Sequence, residues 1–300
     1  MKSLFEGVGV ALVTPFKNTE IDYRALSKLI ERAIAQKADA IVILATTGEG
    51  ATIKPDERVE MIKFCSRAIN GRTKLIVGTG HNDFYTCYIN THIAKSLGVD
   101  GALVVTPYYN KTSKQGLIKF YSELSQIGLP LIVYNVPSRT GLNIPLDTLE
   151  KIINTNEMIY GIKESTTDIS RIQKLCRICH KKVAVYSGED ELNYLFYCLG
   201  AQGTISVTAN VDCQRVKKVY DSICRGDFPT ALKTQNSLAK LNETLFVETN
   251  PIPVKALMSK IGLIENELRL PLVKLSDENI LKIENAEKEL EMQNFSEKLP

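Results

Sequence analysis

The sequence of 300 residues lacks any apolar stretch of the roughly 18 to 20 residues that a helix needs to cross a bilayer. It also lacks an export signal, because Gly7, Gly9 and Pro15 interrupt the short apolar run near the N-terminus and no small-residue cleavage site follows. We interpret that run as a first strand and expect a soluble, cytoplasmic protein without a membrane partner.

A strong imbalance of charge is also missing. The formal net charge is +3, and lysine and arginine are spread through the chain, so the sequence offers no basic patch for nucleic acid. The three histidines are scattered and too few for a metal cluster with suitable ligand spacing. These absences favour chemistry on small molecules and argue against nucleic acid as a partner.

The seven cysteines are an odd number at irregular spacings, which argues against a disulfide framework. Cys176, Cys179 and His180 fit the C-x-x-C-H pattern of covalent haem attachment. The two cysteines, however, share one helical face with Ile169 and Ile172, which is typical of a helix that packs on a core. We therefore expect reduced thiols that are mostly buried.

Short runs rich in Val, Ile and Leu alternate with segments of helical period, the pattern of repeated βα units around a parallel sheet. Apolar residues at three- and four-residue steps, as in Leu117, Phe120, Tyr121 and Leu124, predict the helices. The eight predicted strands are Val8–Val13, Ala40–Leu44, Lys74–Gly78, Gly101–Val105, Pro130–Tyr134, Met158–Lys163, Val183–Ser187 and Gly203–Val207.

After the eighth strand the pattern changes. From about Asp212 the chain reads as helix after helix, with apolar steps such as Leu238, Leu241 and Leu245. Because barrels of eight βα units take about 250 residues, the length leaves room for an appended element. We predict an α/β fold: a (β/α)8 TIM barrel over residues 1–224 that carries the active site, and a C-terminal helical region over residues 225–300 packed on the barrel.

In such a barrel the active site lies at the C-terminal ends of the strands. These ends are rich in hydroxyl groups and contain a single lysine, Lys163. The carboxylates of residues 189–191 have no second acidic strand end beside them, so we interpret them as loop polarity. The strand-end residues are Thr14, Thr46, Thr47, Thr79, Thr106 to Asn110, Tyr134, Lys163, Gly188 to Asp190 and Ile205 to Thr208.

The strand that ends in Lys163 alternates so that Lys163 and Gly161 share one face and Ile162 and Tyr160 share the other. If the apolar pair faces the helices, Lys163 points into the barrel mouth. Burial of a lysine lowers its pKa, and the free amine attacks ketones. Tyr134 ends the neighbouring strand about 4.8 Å away and could shuttle its proton. From the pattern alone, a solvated lysine at a strand end remains the commoner alternative.

Six segments, in order, closely resemble the dihydrodipicolinate synthase family of pyruvate-dependent class I aldolases. The resemblance runs from about residue 5 to residue 275, and several long motifs in the right order make it highly specific. The segments are ATTGEG at 45–50, VVTPYYN at 104–110, YNVPSRTG at 134–141, GIKES at 161–165, GTISVTAN at 203–210 and NPIPVK at 250–255.

The resemblance implies four catalytic residues. Lys163 is the implied Schiff-base lysine, and Tyr134 is the general acid and base that protonates and deprotonates the adduct. Thr46 is the hydroxyl that links Tyr134 to Tyr109 in a proton relay. Tyr109 reaches the site from a neighbouring subunit, so the resemblance also implies a homotetramer built as a dimer of dimers.

The resemblance also implies how the substrates are held. Thr47 and the backbone of Ile205 contact the carboxylate and keto region of pyruvate, and Arg139 holds the carboxylate of the second substrate. The implied reaction joins pyruvate to L-aspartate 4-semialdehyde and gives 4-hydroxy-tetrahydrodipicolinate, on the route to lysine and diaminopimelate. It needs no metal and no organic cofactor.

Two alternatives stand beside this reading. N-acetylneuraminate lyase and keto-deoxy-sugar acid aldolases share the lysine and the tyrosine, but Thr46 with Thr47, the Tyr108–Tyr109 pair and Arg139 favour the synthase. A barrel that binds a keto acid without turnover is the alternative from another class. The presence of a nucleophile together with a complete relay counts against it, because a pure binder needs neither.

One part of the pattern departs from the family. Members that lysine inhibits often bind it with two histidines after the second strand and a glutamate after the third. Pro55, Arg58 and Thr86 stand at the aligned positions here. The carboxylate that would pair with the ammonium of lysine is missing, and Arg58 adds a like charge. We therefore expect weak or absent feedback by lysine.

Overall fold

The computed structural model describes residues 1–296, and for residues 289–296 the backbone alone. The strands are β1 Gly7–Ala11, β2 Phe16–Lys17, β3 Glu20–Ile21, β4 Ala40–Ile43, β5 Lys74–Gly78, β6 Gly101–Val105, β7 Leu131–Asn135, β8 Ile159–Glu164, β9 Ala184–Ser187 and β10 Gly203–Ser206. Eight of them, all parallel, close into a barrel in the order β1-β10-β9-β8-β7-β6-β5-β4, and β2 and β3 pair separately as an antiparallel hairpin.

The (β/α)8 TIM barrel predicted from the sequence is thus confirmed. All eight predicted strands are present, with ends that agree to within two residues, whereas the β2–β3 hairpin was not predicted. Its strands are only two residues long, too short for an alternating pattern to stand out.

Helices connect the strands on the outside of the barrel. Five of them begin at an Asp or Ser whose side chain accepts a hydrogen bond from the backbone N–H three residues ahead, which satisfies one of the free donors at a helix start. The helices are α1 Tyr23–Ala35, α2 Pro55–Ile69, α3 Phe84–Ser96, α4 Lys114–Ser125, α5 Pro137–Thr140, α6 Leu146–Thr155, α7 Ile169–Cys179, α8 Asn193–Cys198, α9 Ala209–Cys224, α10 Phe228–Thr244, α11 Ile252–Lys260 and α12 Asp277–Ser296.

The core has two apolar layers because each strand is buried on both faces. The larger layer lies between the strands and the helices, and the smaller one fills the inside of the barrel with residues such as Ile76, Leu103 and Ile205. The predicted α4 residues all lie in the outer layer, as do Cys176 and Cys179, whereas Ile169 at the start of α7 is exposed. Five of the seven cysteines are buried, and all are free thiols.

The face assignment of β8 was right for Ile162 and wrong for Tyr160. Ile162 packs in the outer layer, but Tyr160 packs against the inner one. The reason is an irregularity in the pairing with β7, where Leu131 pairs with Ile159 and Ile132 with Gly161, so that Tyr160 is left out of the register. Beyond this shift the alternation resumes.

Helices α10 and α11 follow the barrel and contact its last helix α9, and α12 packs on α10 and α11. Helix α10 lies along α9, and Gln235 of α10 donates through Nε2 to the backbone oxygen of Asp190 at 2.9 Å. The division of the chain at residue 225 stays a prediction, and residues 297–300 of that region lie outside the described residues. None of the helices in the described part is long and apolar enough to cross a membrane.

Candidate active site

Lys163 and Tyr134 lie side by side at the C-terminal ends of β8 and β7. They are partners in the parallel register, and each is only 6% exposed. The Nζ atom of Lys163 lies 4.5 Å from the centre of the Tyr134 ring. Tyr134 belongs to the inner layer of the barrel, so the amine faces the mouth of the barrel with the ring beside it.

Lys163 differs from Lys255, the other buried lysine in the described residues. Lys255 forms an ion pair with Glu49, with Nζ and Oε1 2.5 Å apart, and both side chains are inaccessible to solvent. No carboxylate oxygen of the described residues lies within 4.0 Å of the Lys163 amine. Lys163 is therefore a buried amine without a fixed counter-charge, which is the state in which a lysine can act as a nucleophile.

Polar side chains behind the barrel wall hold the two strands in register at this point. Asn135 directly follows Tyr134, and Glu164 directly follows Lys163. Asn135 Nδ2 donates to Glu164 Oε1 at 2.6 Å. Arg171 donates through Nε to the other carboxylate oxygen at 3.1 Å. Burial raises the pKa of Glu164, and the Arg171 guanidinium opposes that shift. This network fixes the relative position of Tyr134 and Lys163.

The turn after β4 carries both predicted threonines. Thr47 is buried, and its hydroxyl oxygen accepts a hydrogen bond from Asn250 Nδ2 at 3.0 Å. The backbone oxygen of Thr46 accepts from the backbone N–H of Glu49, which closes the turn. The single chain contains no hydrogen bond between the Thr46 hydroxyl and Tyr134 within its described part, so the predicted relay stays a prediction.

Ile205 lies on β10 and contributes its side chain to the inner layer that also contains Tyr134. The loop that follows it is held by Asp190, whose Oδ2 accepts from the backbone N–H groups of Val207 at 2.9 Å and Thr208 at 3.0 Å. Asp190 is buried, so it is more than the loop polarity that its sequence context indicated. It fixes the backbone next to Ile205.

Arg139 and Tyr109 are both exposed, but they differ in their relation to the site. Arg139 lies in α5 and donates through Nη2 to the backbone oxygen of Asn250 at 3.0 Å, which brings it next to Thr47. Tyr109 is 91% exposed, and its side chain makes no contact with Lys163 or Tyr134 of its own chain within the described residues.

The model of the dihydrodipicolinate synthetase family matches residues 4–290. The chain belongs to the dihydrodipicolinate synthetase family.

Several relatives are similar over nearly their whole length. The 4-hydroxy-tetrahydrodipicolinate synthase of Fervidobacterium nodosum is 38% identical over 288 residues, which cover 96% of this chain and 99% of the relative. The dihydrodipicolinate synthase of Aquifex aeolicus, a crystal structure, has a TM-score of 0.94 and 41% identity and covers 96% of this chain and 98% of that chain. The dihydrodipicolinate synthase of Acinetobacter baumannii, whose crystal structure was solved with pyruvate, has a TM-score of 0.93 and 40% identity. The match covers 95% of this chain and 99% of that chain.

In this member of the dihydrodipicolinate synthetase family, the loop after β9 lies against the lysine. A Cβ atom at Gly188 would lie 3.0 Å from Cε of Lys163 and 2.1 Å from Oγ of Ser165, so a larger residue would displace the Ser165 hydroxyl and press on Lys163. The next residue, Glu189, is half-buried, and burial raises its pKa to about 7. The neighbouring carboxylate of Asp190 adds to that rise, whereas Lys163 opposes it.

Sequence reasoning missed two groups in this family member, Asn250 and the pair Asn135 and Glu164. Asn250 stood in a matching motif without a role, because its contacts with Thr47 and Arg139 span 203 and 111 positions of the sequence. The pair had a local signal, since two polar residues at the ends of otherwise apolar strands need partners when buried. Within the described residues, no group of three or more His, Cys, Asp or Glu side chains is arranged to hold a metal ion.

Proposed function

We propose that this chain condenses pyruvate with L-aspartate 4-semialdehyde through a Schiff base on Lys163 and so forms 4-hydroxy-tetrahydrodipicolinate for lysine and diaminopimelate biosynthesis. The observation that carries the proposal is the buried Lys163 amine, which has no carboxylate partner and lies beside Tyr134. Membership of the dihydrodipicolinate synthetase family supports the choice of substrates. The enzyme is thus a lyase of the class I aldolase type.

The chemistry begins at the ketone. The Lys163 amine attacks C2 of pyruvate, and loss of water leaves an imine. Loss of a methyl proton gives the enamine, which attacks the aldehyde carbon of the second substrate, and the new alkoxide takes up a proton. The amino group of the bound semialdehyde then displaces Lys163 from the imine carbon, which closes the ring. The balance is one pyruvate and one semialdehyde consumed, with one water released.

Tyr134 is the proposed acid and base for these proton transfers. Its phenol is buried on the neighbouring strand, and the register keeps it beside the lysine. Thr47 and the backbone of Ile205 hold the pyruvate carboxylate and keto region. Asn250 donates a hydrogen bond to Thr47, and Asp190 accepts one from the backbone N–H of Val207, two residues after Ile205. The planar guanidinium of Arg139 suits the carboxylate of the second substrate.

A second copy of the chain completes the proposed site. Tyr109 is 91% exposed, and Phe84 and Tyr85 of α3 are exposed as well. The loops of these residues are joined, because Asn110 Nδ2 donates to the backbone oxygen of Asn82 at 3.0 Å. An exposed aromatic patch is typical of a protein interface. We propose that Tyr109 enters the partner's site, with Thr46 linking it to Tyr134, in a homotetramer built as two dimers.

Borohydride trapping tests the proposal. The protein is incubated with pyruvate and sodium borohydride, digested, and mapped by mass spectrometry in wild type and Lys163→Ala. We expect a reduced pyruvyl adduct on Lys163 that is absent from the variant, and no adduct on Lys255, whose amine is closed off from solvent in an ion pair with Glu49. An unmodified wild type, or an adduct at another lysine, would overturn the mechanism. Turnover with L-aspartate 4-semialdehyde and not with N-acetylmannosamine then identifies the second substrate.

A further inference from the structure

Asn250 joins two parts of the proposed site. It is 6% exposed and lies directly before α11. Its side chain donates to the Thr47 hydroxyl oxygen at 3.0 Å, and its backbone oxygen accepts from Arg139 at 3.0 Å. The side chain of Asn250 therefore contacts the residue proposed to bind pyruvate, and its backbone contacts the residue proposed to bind the second substrate.

The hydrogen bond to Thr47 fixes the direction of a proton. A hydroxyl has one proton and two lone pairs, and here the amide of Asn250 occupies a lone pair. The proton of the Thr47 hydroxyl has no acceptor among the described residues, so it is free to be donated to an incoming anion. If an acceptor replaced the amide donor, that proton would be drawn away and lone pairs would face the pyruvate carboxylate.

The other oxygen of the same amide is incomplete. Asn250 Oδ1 is buried and has no hydrogen-bond partner in the described part of the chain. Leaving a buried acceptor without a partner costs stability, and a residue that served packing alone would gain from an apolar side chain of the same shape. The hydrogen bond that the amide nitrogen donates to Thr47 is therefore the reason for an asparagine at this position.

A second buried contact holds this arrangement in place. Lys255, in the first turns of α11, donates to Oε1 of Glu49 at 2.5 Å and to the backbone oxygen of Thr14 at 2.9 Å. Glu49 follows Thr47 by two residues, so the segments 47–49 and 250–255 are joined at both ends. Donors that are fixed before the ligand arrives need no rearrangement when it binds.

We propose that Asn250 is a positioning residue, which directs the hydroxyl proton of Thr47 toward the carboxylate of pyruvate. The inference rests on the proposed function, because it assumes that Thr47 binds pyruvate. It concerns the first substrate only, since the contact with Arg139 is made by the backbone and survives a change of side chain.

The test measures the pyruvate concentration that gives half-maximal borohydride trapping on Lys163, without the second substrate. Asn250→Asp has nearly the same shape but accepts the Thr47 proton and adds a negative charge, so we expect about a 10- to 100-fold rise. Asn250→Ala removes the donor alone, and we expect roughly a 3- to 10-fold rise. The KM for the semialdehyde should stay unchanged in Asn250→Ala, which a general disturbance of the site would not permit.

A double-mutant cycle with Thr47→Val isolates the contact. In the Thr47→Val background, Asn250→Ala should add no further change, because the hydroxyl it directs is gone. Asn156→Ala is the matched control, since Asn156 is similarly buried at 7%, donates to the backbone oxygen of Ile152 and lies just before the N-terminal end of β8, at the opposite end of the barrel from the site. It should alter stability and leave pyruvate trapping unchanged.

The outcomes separate this inference from the proposed function. A wild type that forms no adduct overturns the proposed function. If the wild type is normal but the Asn250 variants trap pyruvate like Asn156→Ala, the role of Asn250 alone is overturned. Additive effects in the double-mutant cycle overturn it as well. An equal loss for both substrates also overturns it. If Asn250→Ala does not fold, the nearly isosteric Asn250→Asp carries the test.

Discussion

The Nζ atom of Lys255 lies 2.5 Å from Oε1 of Glu49, and the two side chains form an ion pair without access to solvent. Burial lowers the pKa of Lys255, and the Glu49 carboxylate opposes that shift. Removal of one partner strands a buried charge, so we expect Lys255→Met to reduce the free energy of unfolding by about 3 to 5 kcal/mol. Urea denaturation at neutral pH measures the change.

Two variants serve as controls for this prediction. The double variant Glu49→Gln with Lys255→Met removes both charges and should recover part of the lost stability. Lys240→Met breaks an exposed ion pair with Glu243 and should have little effect. Equal stabilities of Lys255→Met and Lys240→Met would contradict the prediction.

Most of the strands were predictable from sequence because they are short apolar runs between turn residues, and parallel strands buried on both faces require such runs. Lys163 and Tyr134 followed from their places at the ends of two such runs. Tyr160 was misassigned because a register shift between β7 and β8 breaks the alternation, and alternation is the only local signal of facing.

The contacts of Asn250 and Asp190 were not predictable in the same way. Thr47 and Asn250 are joined across most of the chain, and no local period relates them. Asp190 reads as one of three neighbouring loop acids, and only the fold shows that it is buried and bonded to the backbone after β10. Polar contacts between distant loops depend on the assembled barrel, whereas the burial of a strand or helix can be predicted from the spacing of neighbouring apolar residues.

Glu189 should make stability depend on pH. Burial raises its pKa from 4.5 to about 7, so the folded protein binds more protons than the unfolded chain between these values, and stability falls as pH rises through that window. Glu189→Gln removes the ionisation. We expect the variant to be more stable than wild type at pH 8, by on the order of 1 to 2 kcal/mol, and to show no such gain near pH 4.5.

Urea denaturation at the two pH values measures this difference. Glu191→Gln, at an exposed position of the same loop, is the matched control and should shift both measurements alike. A Glu189→Gln variant whose gain is the same at both pH values would show that the carboxyl titrates alike in the folded and unfolded chains.

Arg58 bears on inhibition by lysine. Its guanidinium donates to the backbone oxygens of Gly78 and Gly50, each at 2.9 Å, so a fixed cation stands at a position that aligns with a histidine of the lysine-inhibited members. The hydroxyl of Thr86 donates a hydrogen bond to Oδ2 of Asp83 at the start of α3. We expect lysine to inhibit weakly or not at all, and steady-state rates over a lysine titration measure this.

A gain of inhibition provides the control for that expectation. The triple variant Pro55→His, Arg58→His and Thr86→Glu restores the residues typical of lysine-inhibited family members and should become sensitive. Half-inhibition of the wild type well below millimolar lysine would show that the charge at Arg58 does not exclude the effector.

Complementation between inactive chains tests the proposed place of Tyr109. Tyr109→Phe should lose most of its activity, because removing one member of a proton relay typically costs about 100-fold or more. Lys163→Ala should be inactive. A mixed dimer of the two has one complete site, since the Tyr109→Phe chain keeps its Lys163 and receives Tyr109 from the Lys163→Ala partner. The other site lacks the lysine.

The two chains, with different affinity tags, are produced in one cell, and the doubly tagged species is assayed against each parent. If Tyr109 acts across the interface, the mixed dimer should regain about half of the wild-type activity, because one of its two sites is complete. If Tyr109 acts in its own chain, neither site of the mixed dimer has both residues, and activity stays at the level of the parents. Because 91% of the Tyr109 side chain is exposed in the isolated chain, we expect the first result.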